Sequence, residues 1–527
     1  MTNMHESPAG RGSRENFSRG FTSITVAKVA LQCEKSLVYR CSKRRQGFLE
    51  GTDGLNISSS RLFRGFLKQI QHGVHDHVFL TPDLPPASLK IYHLSMIDQK
   101  KVVLQAGLPS AIAAAATRVR YRVLGLSFLM AFLMYMERGA IGAAAPNIMR
   151  EFRIDKITMG WSVSAFNWSY AMFQVPGGWL ADRFGARLVL AGAIAWWSAF
   201  TAGTGLSFNA ISLAITRLLF GAGEAAAFPA GSRALVRWLP TEQRAFGQGF
   251  QHSGSRLGAA LAPAIVVSLM AVFGWRPVFF IFGAAGVLWA AVWYAYYRNY
   301  PSEHPRTNAA EIELLPKISG MRPGTKRSVP WRRILRSRDL WYLSAVYFCY
   351  GWVLWLYLAW FPSYLREARH FTALKTGLAS IPLLAATVTN VAGGVLSDKL
   401  SAKFHDLRRG RLTVSICGFL AAAIGLLPGV LANSPVTALA CLTFALGGLE
   451  LTVAVSWAIC LDIGGDYSGS VSSVMNTWGN LGGAFSAVMV GYLATLLGWT
   501  SPFLMASFLC LLSALIVSRI DPRHSAV

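Results

Sequence analysis

Gly178-Trp-Leu-Ala-Asp182-Arg183-Phe-Gly185 and Gly394-Val-Leu-Ser-Asp398-Lys399 are two copies of one pattern, a glycine followed four residues later by an aspartate and then a cation. Each copy closes an apolar run, the second such run of its own half of the chain. Working outward from them, runs of about 20 residues recur near 123–145, 158–180, 188–207, 210–231, 246–271 and 277–297. After a polar stretch they resume near 340–362, 372–396, 412–432, 435–460, 469–495 and 499–519. At 1.5 Å of rise per residue, about 20 helical residues reach about 30 Å, the thickness of the hydrocarbon core of a bilayer. The runs predict an all-α membrane protein of 12 transmembrane helices. The repeated pattern, at an equivalent place in each half, predicts two six-helix pseudo-symmetric halves, an arrangement that puts a binding site between the halves near the midplane. The expected organisation is a polar extension over 1–115, a six-helix half over 116–298, a loop over 299–338, a second half over 339–520 and a tail over 521–527.

Composition agrees. Of 527 residues, 53% are hydrophobic and 14% charged, against about 25% charged in soluble proteins. The net charge of +25 would suggest nucleic acid in a soluble chain. Here the cations sit in the polar head and in alternate loops, so no nucleic-acid partner is expected and the lipid bilayer is. Arg118, Arg120 and Arg122 precede the first run. Arg183 and Arg187 follow the second, Arg233, Arg237 and Arg244 the fourth, and Lys399, Lys403, Arg408, Arg409 and Arg411 the eighth. The loop between runs one and two is an exception, mixing Arg150, Arg153 and Lys156 with Glu151 and Asp155. Cations mark the cytoplasmic side. This places both termini and the central loop there, in a multi-pass protein of the inner or plasma membrane. Residues 1–115 hold neither a spanning run nor a signal peptide. They have the composition of a disordered extension, or of a start placed too early, with Met96 as the alternative. The seven cysteines are scattered without metal spacing, so they are expected to be reduced, with no metal and no cofactor.

The sharper signal is charge inside the runs: Glu137, Arg138, Arg217, Glu224, Arg256 and Glu450. Each costs about 2.5–3.5 kcal/mol at the bilayer centre even on the lower scale. Six together cost roughly 15 kcal/mol, as much as the whole stability of a protein. They are therefore expected to face a wet cavity or one another. Arg217 and Glu224 are two turns apart on one helix face, with Gly221 between them leaving room for a partner or ligand. Glu137 and Arg138 are neighbours, about 100° apart around the helix, and must reach different partners. Asn167, Tyr170 and Gln174 form a polar stripe in span two. Ser472, Asn476, Gly479, Asn480 and Gly483 do so in span eleven. Of the aromatic residues of span seven, Tyr347 and Tyr350 are the candidates for the site. His252, close to Arg256, reads as a packing hydrogen-bonder.

The Gly178–Arg187 stretch resembles the loop signature of the major facilitator superfamily. Further segments resemble its anion:cation symporter family, whose members carry sugar acids and other organic anions. They are Met136-Glu137-Arg138, Phe166–Gly178, Arg217–Pro229, Ser253–Pro263 and Met475–Gly483, and the likeness runs from about Arg118 to Arg519. It implies the major facilitator fold, no enzymatic activity, and proton-coupled symport of an organic anion such as a hexuronate or aldonate. It also implies roles. Glu137-Arg138 matches an acid–Arg pair, usually Asp-Arg. Arg217 and Glu224 match an Arg–carboxylate pair that couples proton to substrate, Tyr170 a substrate-contacting tyrosine, and Asn476 or Asn480 a polar contact. Glu137 and Glu224 are thus the expected proton carriers. Arg138, Arg217, Tyr170, Gln174, Arg256, Tyr347, Tyr350, Asn476 and Asn480 are the expected substrate contacts. Gly178, Asp182, Arg183, Gly185, Arg187 and Asp398 make the gating loops, where Asp182 and its neighbouring arginines join helix ends in one state and part in the other. Arg256 and Glu450 depart from the family pattern, and Glu450 has no place in this scheme. The competing expectations are an organic phosphate exchanger, a drug exporter and a non-transporting sensor.

Overall fold

The computed structural model describes residues 115–315, 328–371 and 375–526. The extension expected over 1–115 lies, apart from Ala115, outside them. Twelve long helices form the bundle among the described residues. The first half is α1 (Val119–Phe152), α2 (Lys156–Phe184), α3 (Ala186–Gly205), α4 (Ala210–Trp238), α5 (Arg244–Phe273) and α6 (Trp275–Tyr296). The second is α7 (Arg338–Glu367), α8 (Ile381–Phe404), α9 (Leu407–Leu431), α10 (Pro435–Gly464), α11 (Ser468–Leu497) and α12 (Thr500–Val517). All but α2 fall in stretches long and apolar enough to cross a membrane, α10 and α11 in one stretch. The exception, α2, is 29 residues long but diluted by Asn167, Tyr170, Gln174 and its glycines.

Local signals set the ends. Asp155 accepts the Thr158 amide and Asn209 the Ser212 amide, each 2.8 Å away, capping α2 and α4 as short polar side chains do. Gly274 (φ +80°) before Trp275 and Gly498 (φ +78°) before Trp499 make the tight turns α5–α6 and α11–α12. They repeat one device in the two halves, because only glycine turns there without a Cβ clash. Two helices are irregular where the cavity lies. Span four is broken at Ala225–Ala226, directly after Glu224, and runs on to Trp238, beyond its expected end. The other, α7, carries a π-helical turn over Leu356–Trp360, an irregularity that tends to accompany function.

The halves meet through α2 against α11 and α5 against α8, and the repeated motif explains how. The Cα of Gly178 lies against the Gly469 carbonyl and Ser473 of α11. That of Gly394 lies against the backbone of Ala245 and Phe246 in α5. No side chain fits at either crossing. One turn later, Asp182 accepts the Gly469 and Ser470 amides (3.1 and 2.6 Å) at the start of α11. Asp398 accepts the Phe246 amide (2.8 Å) at the start of α5. Each carboxylate meets unpaired N–H groups and the positive end of a helix dipole. Each also has an arginine, Arg233 on Asp182 (3.4 Å) and Arg411 on Asp398 (2.7 Å). A third case ties the central loop to α1: Glu311 accepts the Val119 and Arg120 amides and pairs with the Arg120 guanidinium at 2.9 Å. This basic face is tightly closed, with every residue from Glu224 to Trp238 of α4 buried.

Here the sequence-based partners need correction. Arg183 does not join Asp182 but stacks over Trp179, and Arg187 donates to the Tyr294 carbonyl at 2.9 Å. Gly185 (φ +86°) makes the turn between α2 and α3. The five described cysteines, Cys349, Cys417, Cys441, Cys460 and Cys510, are free thiols.

Candidate functional site

A narrow cavity of about 40 Å³ lies between the halves. From the first half it is lined by Tyr135 and Arg138 of α1, Tyr170 of α2, Phe228 of α4, and His252 and Arg256 of α5. From the second come Tyr347, Tyr350, Gly351, Leu354 and Trp355 of α7, and Asn476, Gly479 and Asn480 of α11. Past Trp355 and Asn480 begins a larger, mostly apolar space of about 230 Å³ between α2 and α11, where Asn167 lies. Asn167 therefore does not share a cavity with Tyr170.

The acid that faces Arg138 is Glu224. Arg138 Nε donates to both of its carboxylate oxygens at 3.0 Å, so the pair joins α1 to α4. The guanidinium is boxed by the rings of Tyr170, Tyr135 and Phe166, at 4.6, 4.8 and 4.9 Å, and its Nη2 has no hydrogen-bond partner among the described residues. Arg217 does not pair with Glu224, although the two share a helix face. It lies buried over Phe220 (4.2 Å) and Phe166 (5.3 Å), makes no ion pair among the described residues, and is not part of the cavity wall. The room beside Gly221 is taken by Ser169 and Phe166 of α2.

Glu137 turns the other way from Arg138, as their spacing requires. It accepts from the Thr201 hydroxyl at 3.0 Å, and the Trp197 indole is its second neighbour. Gln174, behind the cavity wall, accepts from Asn476 Nδ2 at 3.0 Å, a hydrogen bond between the halves. Asn480 donates to the Asn476 carbonyl, one turn back on α11. His252 stacks on Phe228 with ring centres 4.5 Å apart, and its Nε2 is unpartnered beside the cavity. Stacking, more than hydrogen bonding, holds it.

A second charged cluster crosses the cavity from half to half. Arg256 Nε of α5 donates to Glu450 of α10 at 2.9 Å. The same carboxylate accepts from the Tyr350 hydroxyl (2.9 Å) and from Asn390 Nδ2 of α8 (2.7 Å). Arg256 also donates to Tyr350 and to Ser255. Tyr347 stacks on Tyr350 at 4.9 Å and accepts from Trp457. Sequence reasoning found Glu450 without placing it, and missed Asn390. The signal was present in the repeat. Phe220-Gly221-Ala-Gly-Glu224 in α4 corresponds to Leu446-Gly447-Gly-Leu-Glu450 in α10, so Glu450 is the second half's counterpart of Glu224.

Taking two charges out of water costs several kcal/mol per ion, and a buried pair is often no better for stability than apolar residues of the same volume. Two such pairs around one cavity are thus poor structural cement. They are suited to exchanging partners with something that enters it.

A sequence profile of the Major Facilitator Superfamily matches residues 127–487. The chain belongs to that superfamily. This superfamily member is 36% identical over 408 residues to a probable sulfoacetate transporter of Cupriavidus necator, a match covering 77% of the chain and 94% of the relative. It is 31% identical over 418 residues to a D-galactonate transporter of Escherichia coli, covering 76% and 96%. Among solved structures it resembles the human organic anion transporter MFSD10, with a TM-score of 0.60 and 18% identity, over 76% of this chain and 99% of that one. These relatives are transporters. The chain is a multi-pass transporter of the superfamily and not an enzyme.

Proposed function

We propose that this transporter takes up a small organic anion together with protons, by alternating access of the cavity to the two sides of the membrane. The names of its relatives, carriers of sulfoacetate and galactonate, support the substrate class. The observation that carries the coupling is the Arg138–Glu224 pair at the cavity. While Glu224 is ionised, it occupies the guanidinium. Protonating Glu224 frees Arg138, whose planar fork then grips a carboxylate or sulfonate with two hydrogen bonds. Substrate and proton thereby favour each other's binding, as reciprocal linkage requires. Tyr170, Asn476 and Asn480 orient the bound anion. Glu137, buried one residue before Arg138, is the second proton-carrying group.

The basic face is the cytoplasmic one, and the contacts of Asp182 and Asp398 are its gates. They hold the halves together there, and they must part for substrate to leave inward. Counterflow of a panel of labelled organic acids into proteoliposomes at two pH values, with and without a protonophore, tests the proposal. Accumulation of an organic acid that a protonophore collapses is the expected result. Flux of cations alone, or anion exchange indifferent to the protonophore, contradicts it.

A further inference from the structure

Two guanidinium groups border the cavity, and one is enough to hold a single acid group. We infer that Arg256 is a second anion grip, so that the cavity takes a short dianion whose acid groups are held by Arg138 and Arg256 at once. The inference rests on the anion transport proposed above and narrows its substrate.

Four observations carry it. First, distance. The Tyr135 ring centre is 4.8 Å from the Arg138 guanidinium carbon and 5.8 Å from that of Arg256, so the two carbons are at most about 10.6 Å apart. A fork-to-fork contact sets guanidinium carbon and acid centre about 4 Å apart. With about 4 Å taken at each end, at most about 2.6 Å is left between acid centres, the span of a dianion with a single atom between its acid groups, and longer dianions must bow.

Second, charge. Each arginine is backed by its own carboxylate, Glu224 or Glu450, so the two pairs are neutral in the empty cavity. A dianion has a counter-ion to replace at both ends, whereas a monoanion leaves one pair untouched. Third, hydrogen bonds. Of the five N–H groups of Arg256, one meets Glu450, one the Ser255 hydroxyl and one the Tyr350 hydroxyl. Two remain for a ligand, and the unpartnered Nε2 of His252 lies on the same wall. Fourth, position. Arg256 belongs to the first half and Glu450, Tyr350 and Asn390 to the second. An acid group at Arg256 therefore competes directly with a contact that ties the halves.

The test is the affinity of the purified full-length protein for propionate, malonate, succinate and adipate, read from ligand-dependent thermal unfolding at fixed pH and ionic strength. Malonate should bind at least tenfold more tightly than propionate, and succinate and adipate progressively more weakly than malonate. In the double variant Arg256→Gln/Glu450→Gln, which leaves no unpaired charge, the preference for malonate over propionate should fall to about twofold. Arg256→Lys, which keeps a cation for Glu450 but loses the fork, should lower the preference part-way, and it gives a readout if the double variant does not fold. Propionate binding as tightly as malonate, or a preference that survives both variants, overturns the inference and leaves anion transport standing. Failure of all four acids to bind the folded wild-type protein also overturns the inference, while anion transport itself stands or falls with the counterflow panel.

Discussion

The two buried Arg–Glu pairs of the cavity look alike and are wired differently. Arg138–Glu224 joins α1 to α4 within the first half, whereas Arg256–Glu450 joins α5 to α10 across the halves. Breaking the first frees a guanidinium without moving a helix. Breaking the second removes a contact that helps set how the halves sit. Around Glu450 the hydrogen bonds are dense, with Tyr350 and Asn390 filling what Arg256 leaves. Around Arg138 there are rings and an Nη2 without a hydrogen-bond partner among the described residues. The difference teaches that one pseudo-symmetric position serves two ends: a carboxylate that pairs with an arginine inside one lobe, and a carboxylate that ties the two lobes to each other.

Glu224→Gln should have the largest effect. Accumulation driven by a proton gradient should fall by 100-fold or more while exchange of preloaded substrate persists, measured by uptake and counterflow in proteoliposomes. Persistent gradient-driven accumulation would remove Glu224 from coupling. Arg138→Lys comes next. An ammonium lacks the fork, so substrate affinity should drop at least tenfold, and unchanged affinity would break the assignment. At the gates, Gly394→Val puts a branched side chain into the α5 backbone. It should slow turnover about tenfold, with a smaller change in affinity, because the closed basic face no longer forms. If the halves differ as described, Glu450→Gln should lower the thermal stability of the empty protein more than Glu224→Gln does, a comparison that differential scanning can rank. The smallest effect belongs to Gln174→Ala, which removes one neutral bond to Asn476. Such bonds within membranes are worth about 0.6 kcal/mol, so turnover should change less than threefold.

Much of this fold is legible in the letters. Apolar run length gives the helices, and the Gly178–Asp182 and Gly394–Asp398 copies give the two halves. Partner choice at the site is less legible, for physical reasons. Arg217 and Glu224 do lie on one helix face, but Phe166 and Ser169 of α2 close over Gly221 while α1 brings Arg138 to Glu224. Helix rotation and neighbour choice decide this, and neither is a local property of the sequence. The true partners of Asp182 and Asp398 include backbone N–H groups at helix starts, which have no letter at all, so nearby arginines looked the better candidates. Glu450 could have been placed as well as found, because its position in α10 mirrors that of Glu224 in α4.

Proton uptake on substrate binding tests the central claim most directly. Purified protein in weakly buffered solution is mixed with the organic acid that counterflow identifies, and the pH change is recorded. If Glu224 releases Arg138 by taking a proton, the wild-type protein should remove protons from solution on binding, and Glu224→Gln should bind without that uptake. Binding with no proton uptake in the wild type, or equal uptake in both proteins, would contradict the account.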